Sequence, residues 1–128
     1  MGVSRPAAIE RLKKREDFLR AARGIRRVQP GLTLEVCGAP EGQSQTIRLG
    51  FTASRKVGMA VERNRAKRRL RAAAQALLPL YGLAGNDYVL VARRETLTRP
   101  FEGLLHDLKS AISAAHGRLG RSQAGDIR

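Results

Sequence analysis

The sequence contains very few of the residues on which disulfide-linked, metal-binding and aromatic-rich proteins depend. Among its 128 residues there is one cysteine and no tryptophan, and aromatic residues make up only 4%. Cys37 has no partner for an internal disulfide, and its place in a strand-like run predicts a small packing residue. The two histidines, His106 and His116, have no cysteine near them, so the sequence predicts no metal site.

Long apolar runs are also missing. No stretch is long enough to cross a bilayer, and the first residues, MGVSRPAAIERLKKRED, lack the apolar core of a secretory signal. The sequence therefore predicts a cytoplasmic protein with no membrane partner. Its length suits one domain, residues 1–128, and we expect an ordered core over about residues 9–116 between flexible termini.

Acidic residues are scarce relative to basic ones. The chain has 11 Asp and Glu against 25 Lys and Arg, which gives a formal net charge of +14. Charge of one sign repels itself in the compact state, so an anionic partner is expected to stabilise the fold. Such a composition is typical of nucleic-acid-binding domains, and less often of proteins that bind anionic membranes.

The few acids are also scattered along the chain. A protein that hydrolyses phosphodiester bonds by itself needs clustered acids to hold magnesium, or a histidine-based acid–base pair. Glu16 and Asp17 are the only adjacent acids, and neighbouring side chains on a helix diverge. The sequence contains no metal-binding cluster, but distant acids can converge in space, so a protein-only nuclease is one alternative.

One short segment, residues 55–71, concentrates the positive charge. It holds eight of the 25 basic residues and a single acid, Glu62. If the segment is helical from about Arg63, an advance of roughly 100° per residue gives it two distinct faces. The polar face carries Asn64, Lys67, Arg68 and Arg71, and the apolar stripe carries Ala66, Leu70, Ala73 and Leu77. A helix anchored through this stripe presents a rigid set of cations to a phosphate backbone.

Hydrophobic periodicity predicts the remaining elements. A first helix is expected over Ile9–Arg23. Strands are expected over Leu32–Cys37, Thr46–Ala53 and Asp87–Arg93. The basic helix should end near Pro79, and a last helix should pack through residues 101–115. The predicted fold class is α+β: a small two-layer sandwich with one mixed sheet of about four strands, helices packed on it, and the element order α-β-β-β-α-β-α.

The string GFTASRKVGMAVERNRAKRRLR, residues 50–71, carries a specific motif. The motif consists of Arg63-Asn64-Arg65 followed by Lys67, Arg68 and Arg71, with Arg55-Lys56 and Gly58 upstream. This string closely resembles the signature of the protein component of bacterial ribonuclease P. The resemblance continues in RLKKREDFLRAARG, DYVLVAR and TLTRPF, and it covers about residues 9–115.

The resemblance implies the accessory subunit of an endoribonuclease whose catalysis resides in an RNA. That RNA uses Mg²⁺ to hydrolyse the phosphodiester bond that joins the 5′ leader to the mature tRNA within the precursor. The protein alone is implied to bind no cofactor and to be non-catalytic. Its implied partners are the catalytic RNA and precursor tRNA, with no obligate protein partner.

The resemblance also assigns binding roles to individual residues. The catalytic RNA is implied to bind Arg55, Lys56, Arg63, Asn64, Arg65, Lys67, Arg68 and Arg71. The leader is implied to bind Phe18, Lys14 and Arg15 in a cleft between the first helix and the sheet. Helical spacing by itself favours a core position for Phe18, and one ring can serve both roles if its edge is buried. No catalytic residue and no metal ligand is implied in the protein.

Three positions depart from the family pattern. Met59 stands where the family usually has Asn, and Ala22 stands where a second aromatic residue is common. Glu35 occupies a strand position that is often aromatic or neutral. We therefore expect the leader cleft to stack on nucleobases less strongly than in some relatives.

A ribosomal-type RNA-binding protein without a nuclease role is the second alternative. It would share the size, the charge and the α+β class of this chain. The ordered signature string argues against it. The RNA that co-purifies with the protein would discriminate between the two, since a fragment of ribosomal RNA would support this alternative.

Overall fold

The computed structural model describes residues 8–40 and 45–126. In chain order the elements are β1 (Ala8–Arg11), α1 (Arg15–Ala22), β2 (Ile25–Val28), β3 (Leu32–Gly38), β4 (Thr46–Thr52), α2 (Ala60–Tyr81), β5 (Asn86–Ala92) and α3 (Phe101–Asp126), with a 3-10 helix at Arg94–Leu97. The predicted α+β class is confirmed. The single mixed sheet has five strands rather than about four.

The strand order in the sheet is β1-β4-β5-β3-β2. β1, β4 and β5 run parallel, whereas β3 is antiparallel to β5 and β2 is antiparallel to β3. The parallel pair β4 and β5 is joined through α2, which forms a crossover above the sheet. The basic helix therefore starts where β4 ends.

Helices cover both faces of the sheet, so the fold has three layers instead of the predicted two. α2 and α3 pack on one face and enclose the larger core, to which the strands contribute Leu32, Leu34, Val36, Ile47, Leu49, Tyr88 and Leu90. On the opposite face α1 encloses a smaller cluster of Leu12, Ala21 and Val89, with Phe18 and Cys37 packed against it. The period-2 alternation of each strand separates these two sets of residues.

The prediction of one helix over Ile9–Arg23 is wrong. Residues Ala8–Arg11 form β1, in which Ile9 pairs with Ile47 of β4, and the backbone N–H of Leu12 donates to the Leu49 carbonyl at 2.9 Å. Only Arg15–Ala22 is helical. The apolar spacing of this segment is compatible with either element, and pairing with β4 determines the outcome because it satisfies the backbone groups of an edge strand.

The two long helices extend beyond their predicted ends. α2 begins at Ala60, before Arg63, and includes Pro79 near its last turn. α3 continues to Asp126, past residue 116, where we expected the ordered core to end. The expectation of a flexible N-terminus concerns residues 1–7, which lie outside the described residues. In the described part of the chain, no helix combines the length and the apolar character that crossing a membrane requires.

Candidate nucleic-acid interface

A tight turn between β4 and α2 fixes where the basic helix begins. The backbone N–H of Val57 donates to the Ser54 carbonyl at 3.0 Å, and Val57 itself is buried. Gly58 has a φ of +150°, and a Cβ there would lie 2.6 Å from Glu62 Oε1. A glycine is therefore required at this position both for its backbone conformation and for the space that Glu62 fills.

Glu62 caps the start of α2. Its Oε1 accepts a hydrogen bond of 2.7 Å from the backbone N–H of Met59, the residue just before the helix. This is one half of a capping box, and the carboxylate also lies at the positive end of the helix dipole. The carboxylate therefore stabilises the first turn of α2.

The apolar stripe predicted for α2 is buried in the structure. Ala66, Leu70 and Ala73 are fully buried in the larger core, and Leu77 is partly buried against it. The stripe holds one side of the helix on the sheet, so the remaining sides carry the charges. We define the α2 basic surface as the polar residues of these sides together with two cations of the preceding turn: Arg55, Lys56, Arg63, Asn64, Arg65, Lys67, Arg68, Arg69 and Arg71.

The α2 basic surface consists of three rows of residues spaced four apart. The half-buried row is Arg63, Lys67 and Arg71; the exposed middle row is Asn64 and Arg68; the third row is Arg65 and Arg69. Arg55 and Lys56 are exposed beside the start of the helix. The structure thus brings together all eight residues that the resemblance assigns to RNA binding, and Arg69 is an addition.

The side chains of the third row, Arg65 and Arg69, form hydrogen bonds within the protein. Arg69 donates to the carbonyl oxygens of Thr96 and Arg99, the latter at 2.6 Å, and Arg65 donates to the Leu97 carbonyl at 3.2 Å. These bonds fasten α2 to the segment between β5 and α3. Asn64 and Arg68, in contrast, make no side-chain hydrogen bond within the described part of the chain. The middle row is therefore more available to a partner than the third row.

The ring of Phe18 packs on the backbone of β4 at Gly50. A Cβ at Gly50 would lie 2.5 Å from Phe18 Cε1 and 2.7 Å from Cζ, so only glycine admits the ring. Phe18 is half-buried, which leaves part of the ring accessible. It serves as a packing residue and still presents a surface, as the sequence allowed. An isolated glycine in a strand signals such a close approach, but the sequence does not say which side chain approaches.

Phe18 and the α2 basic surface meet at the open end of β4. β1 ends at Arg11, opposite Leu49, whereas β4 continues to Thr52. Beyond Arg11 a cleft of about 90 Å³ opens, lined by Arg11, Leu12, Phe18, Gly50, Phe51, Lys67 and Arg71. The Arg71 guanidinium lies 5.4 Å from the centroid of the Phe51 ring, a cation–π distance. We call this cleft the β4-edge cleft.

Lys14 and Arg15, the other predicted leader residues, lie at the start of α1. Lys14 is exposed and lines a larger pocket of about 510 Å³ together with Arg11, Lys13 and Arg48. Arg15 is exposed and lines neither this pocket nor the β4-edge cleft. Because Arg11 lines both cavities, the pocket adjoins the β4-edge cleft. The structure therefore places Lys14 next to Phe18's cleft but does not bring Arg15 into it.

Four charged residues fasten α1 to the sheet. Arg20 Nη2 donates to Asp17 Oδ1 and to Asp87 Oδ2, each at 2.8 Å. Arg48 on β4 donates to the other oxygen of Asp17, and its Nε lies 3.5 Å from Asp87 Oδ1. Burial opposes ionisation of Asp17, but Arg20 and Arg48 outweigh it and lower the pKa of that carboxyl. This cluster fixes the helix that carries Phe18, and no sequence motif indicated it.

The three departures from the family pattern lie at distinct places. Met59 is 77% exposed and stands at the N-cap of α2, where it offers no side-chain oxygen to the helix. Ala22 is exposed on α1, and Glu35 is buried in the sheet opposite Arg26. Burial raises the pKa of Glu35, and the nearby Arg26 opposes that shift. Neither Ala22 nor Glu35 lines the β4-edge cleft.

The cysteine and the two histidines do not belong to the α2 basic surface or to the β4-edge cleft. Cys37 is half-buried in β3, and His106 is exposed on α3. His116 Nε2 lies 2.7 Å from the hydroxyl of the buried Tyr88. Within residues 8–40 and 45–126, no three His, Cys, Asp or Glu side chains come together in a group that would hold a metal ion.

Comparison with known proteins gives one consistent result. The model of the family described as Ribonuclease P matches residues 7–116. The ribonuclease P protein component of Ruegeria pomeroyi is 47% identical over 117 residues, which cover 91% of this chain and 94% of that protein. The corresponding protein of Paramagnetospirillum magneticum is 46% identical over 124 residues, which cover 94% and 92%.

Solved structures agree with the sequence comparison. The RNase P protein of Staphylococcus aureus is similar with a TM-score of 0.66 at 25% identity, covering 82% of this chain and 94% of that chain. The RNase P protein from Thermotoga maritima is similar with a TM-score of 0.65 at 25% identity, covering 80% and 94%. Because the family model spans most of the sequence and relatives above 40% identity cover nearly all of it, the chain belongs to the ribonuclease P protein family.

Proposed function

We propose that this chain is the protein subunit of a ribonuclease P ribonucleoprotein, which assists the endonucleolytic 5′ maturation of tRNA. It binds the catalytic RNA through the α2 basic surface and the 5′ leader of precursor tRNA at the β4-edge cleft. The observation that carries the proposal is that Phe18, Lys67 and Arg71 line the same cleft at the open end of β4.

The charge arrangement of α2 supports an RNA partner. Like charges four apart on a helix destabilise it by about 0.2–0.5 kcal/mol per pair, and the Arg63 row contains two such pairs. Arg55 and Lys56 add further positive charge beside the helix N-terminus, where the dipole already favours anions. A phosphate backbone removes this repulsion, and arginine binds phosphate oxygens in a bidentate way.

The β4-edge cleft has the features that a single-stranded leader requires. Single strands bind where aromatic rings offer stacking surfaces and cations track the backbone. The cleft supplies Phe18 and Phe51 as rings and Arg11, Lys67 and Arg71 as cations. Next to it, the outer edge of β4 beyond Leu49 has no strand beside it among the described residues.

The proposal assigns the chemistry to the RNA and its Mg²⁺ ions, and binding and orientation to the protein. Three of the protein's 11 acids have structural roles: Asp17 and Asp87 pair with arginines, and Glu62 caps α2. No other protein is required. The same proposal places the protein in the cytoplasm, where precursor tRNA is processed.

A reconstitution experiment tests this function. Precursor tRNA is incubated at low Mg²⁺ with the protein, with the cognate RNA, and with both. We expect 5′ processing only when the RNA is present, and faster processing when the protein is added. Robust cleavage by the RNA-free protein would support the protein-only nuclease instead, and co-purification with ribosomal RNA fragments would support the ribosomal-type alternative.

A further inference from the structure

A second concentration of arginines lies on the opposite edge of the sheet from β1. β2 is the outermost strand on that side, and it carries Arg26 and Arg27. Together with Arg23 at the end of α1 and Arg118 on α3, these residues line a groove of about 430 Å³. We call it the β2-edge groove. Its other lining residues are Gly24, Ile25, Val36, Cys37 and Leu119, so no acid lines it.

These arginines are largely unused by the fold. None of the four forms a salt bridge in the described part of the chain, although Arg26 faces the buried Glu35 across the strand pair. Arg27 donates only to the Arg26 carbonyl, at 3.3 Å, and its Nε is buried with no acceptor among the described residues. Glu35 partly offsets the charge of Arg26, but no acid lines the groove, so an anion bound there would reduce the mutual repulsion of the four arginines.

Protection of the sheet edge explains only part of this cluster. Charged side chains on a short edge strand prevent pairing with another chain, and Arg26 and Arg27 satisfy that role. Arg23, the C-cap residue of α1, and Arg118, on α3, lie outside the edge strand and gain nothing from edge protection. Their convergence on the same groove therefore points to a ligand.

We propose that the β2-edge groove is a second RNA-backbone site, which binds phosphodiester groups separately from the α2 basic surface. The inference rests on the proposed function for the identity of the polyanion. Three strand spacings of about 4.8 Å place β2 roughly 14 Å from β4, after which α2 begins, so the groove is separate from the start of the α2 basic surface. Arginine forks suit phosphate oxygens, and such contacts position a nucleic-acid backbone without reading its sequence.

The test compares two double variants that remove the same charge. Arg23→Gln/Arg118→Gln removes two exposed groove cations, one at the C-cap of α1 and one on α3. The control, Arg94→Gln/Lys109→Gln, removes two exposed cations that line neither the groove nor the α2 basic surface. Binding is measured against salt concentration, first with the catalytic RNA and then with precursor and mature tRNA on the preassembled holoenzyme.

We expect the slope of log affinity against log salt to fall by about 2 for the groove variant and to stay unchanged for the control. A change with the catalytic RNA assigns the phosphates to that RNA, and a change with precursor tRNA alone assigns them to the leader. The single variant Arg118→Gln should lower the slope by about 1, which keeps the test valid if the double variant does not fold.

Two results would overturn the proposal. One is a groove variant with wild-type slopes for every RNA, and the other is a control variant that loses as much as the groove variant. The wild-type protein separates this failure from a failure of the proposed function. If the wild-type protein binds neither RNA, the proposed function is wrong; if it binds both and the groove variant behaves identically, only the second site is wrong.

Discussion

Phe18 and Gly50 form a matched pair, in which a ring on α1 lies directly against a strand residue that has no side chain. A Cβ at position 50 would come within 2.5 Å of Phe18 Cε1. The glycine therefore determines where the ring sits, and the ring forms one wall of the β4-edge cleft.

Gly50→Ala should displace this ring. We expect a loss of about 1–3 kcal/mol in the free energy of unfolding, typical of overpacking, and weaker binding of precursor tRNA. Gly38→Ala is the matched control, because Gly38 also lies in a strand and a Cβ there meets nothing within 4 Å. Urea unfolding of both variants checks this. A Gly50→Ala protein as stable as the wild type would mean that the ring has freedom to move aside.

Arg68 and Arg69 are neighbours on α2 with opposite expected roles. Arg68→Ala should weaken binding to the catalytic RNA, lower the salt slope by about 1, and change stability by no more than about 0.5 kcal/mol. Arg69→Ala should cost about 1–3 kcal/mol of stability, because it leaves the carbonyl of the buried Thr96 without its donor. Unfolding and RNA-binding measurements on both variants check the contrast. If Arg68→Ala loses stability and Arg69→Ala loses only RNA affinity, Arg68 is the structural residue and Arg69 the RNA-binding one.

Met59 leaves the N-cap of α2 without a side-chain acceptor. Met59→Asn should raise the free energy of unfolding by about 0.5–2 kcal/mol, because the asparagine oxygen accepts a hydrogen bond from an early backbone N–H. Val61→Asn is the control, since Val61 is similarly exposed but lies inside the helix. Thermal unfolding distinguishes them. If the two variants have equal stability, Glu62 alone is sufficient to cap the helix.

His116 makes the stability of the fold depend on pH. The hydroxyl of the buried Tyr88 accepts a 2.9 Å bond from the backbone N–H of Leu83 and lies 2.7 Å from His116 Nε2. Burial lowers the pKa of His116 in the folded state. The unfolded chain, with a histidine pKa of about 6.5, therefore binds the proton more readily.

The sign of the effect follows from this difference. The contribution of His116 to stability is present above pH 6.5 and is lost as the pH falls from about 6.5 through the lower pKa of the folded state. His116→Gln should remove this part of the pH dependence, whereas the exposed His106→Gln should leave it unchanged. Unfolding curves between pH 5 and pH 8 give the comparison, and identical profiles for His116→Gln and wild type would contradict it.

The sequence predicted the elements whose patterns are complete within one segment. The stripe of Ala66, Leu70 and Ala73 located α2, because its 3.6-residue period is uninterrupted. Continuous apolar character likewise located β5. β1 and β2 were harder, because β1 has four exposed residues and β2 alternates two apolar residues with Arg26 and Arg27. Short edge strands carry little periodicity, and their pairing partners determine them.

The part of the candidate site that lies on one helix could be predicted from the sequence. The part that depends on contacts between residues far apart in the chain could not. The α2 basic surface could be predicted from spacing and from the family signature together. The approach of Phe18 to Gly50, and of Asp17 to Arg48, joins residues on separate elements. Such contacts depend on the order of strands in the sheet, which one sequence does not specify.

The binding preference of a Phe18→Ala holoenzyme tests the central claim most directly. Only precursor tRNA carries a leader, so affinity is measured for precursor and mature tRNA with the wild type, with Phe18→Ala, and with Phe101→Ala as a partly exposed aromatic control. We expect Phe18→Ala to lose about 1–3 kcal/mol for the precursor alone, and Phe101→Ala to lose nothing. A folded Phe18→Ala protein that keeps the wild-type preference for precursor over mature tRNA would contradict the leader role of the β4-edge cleft.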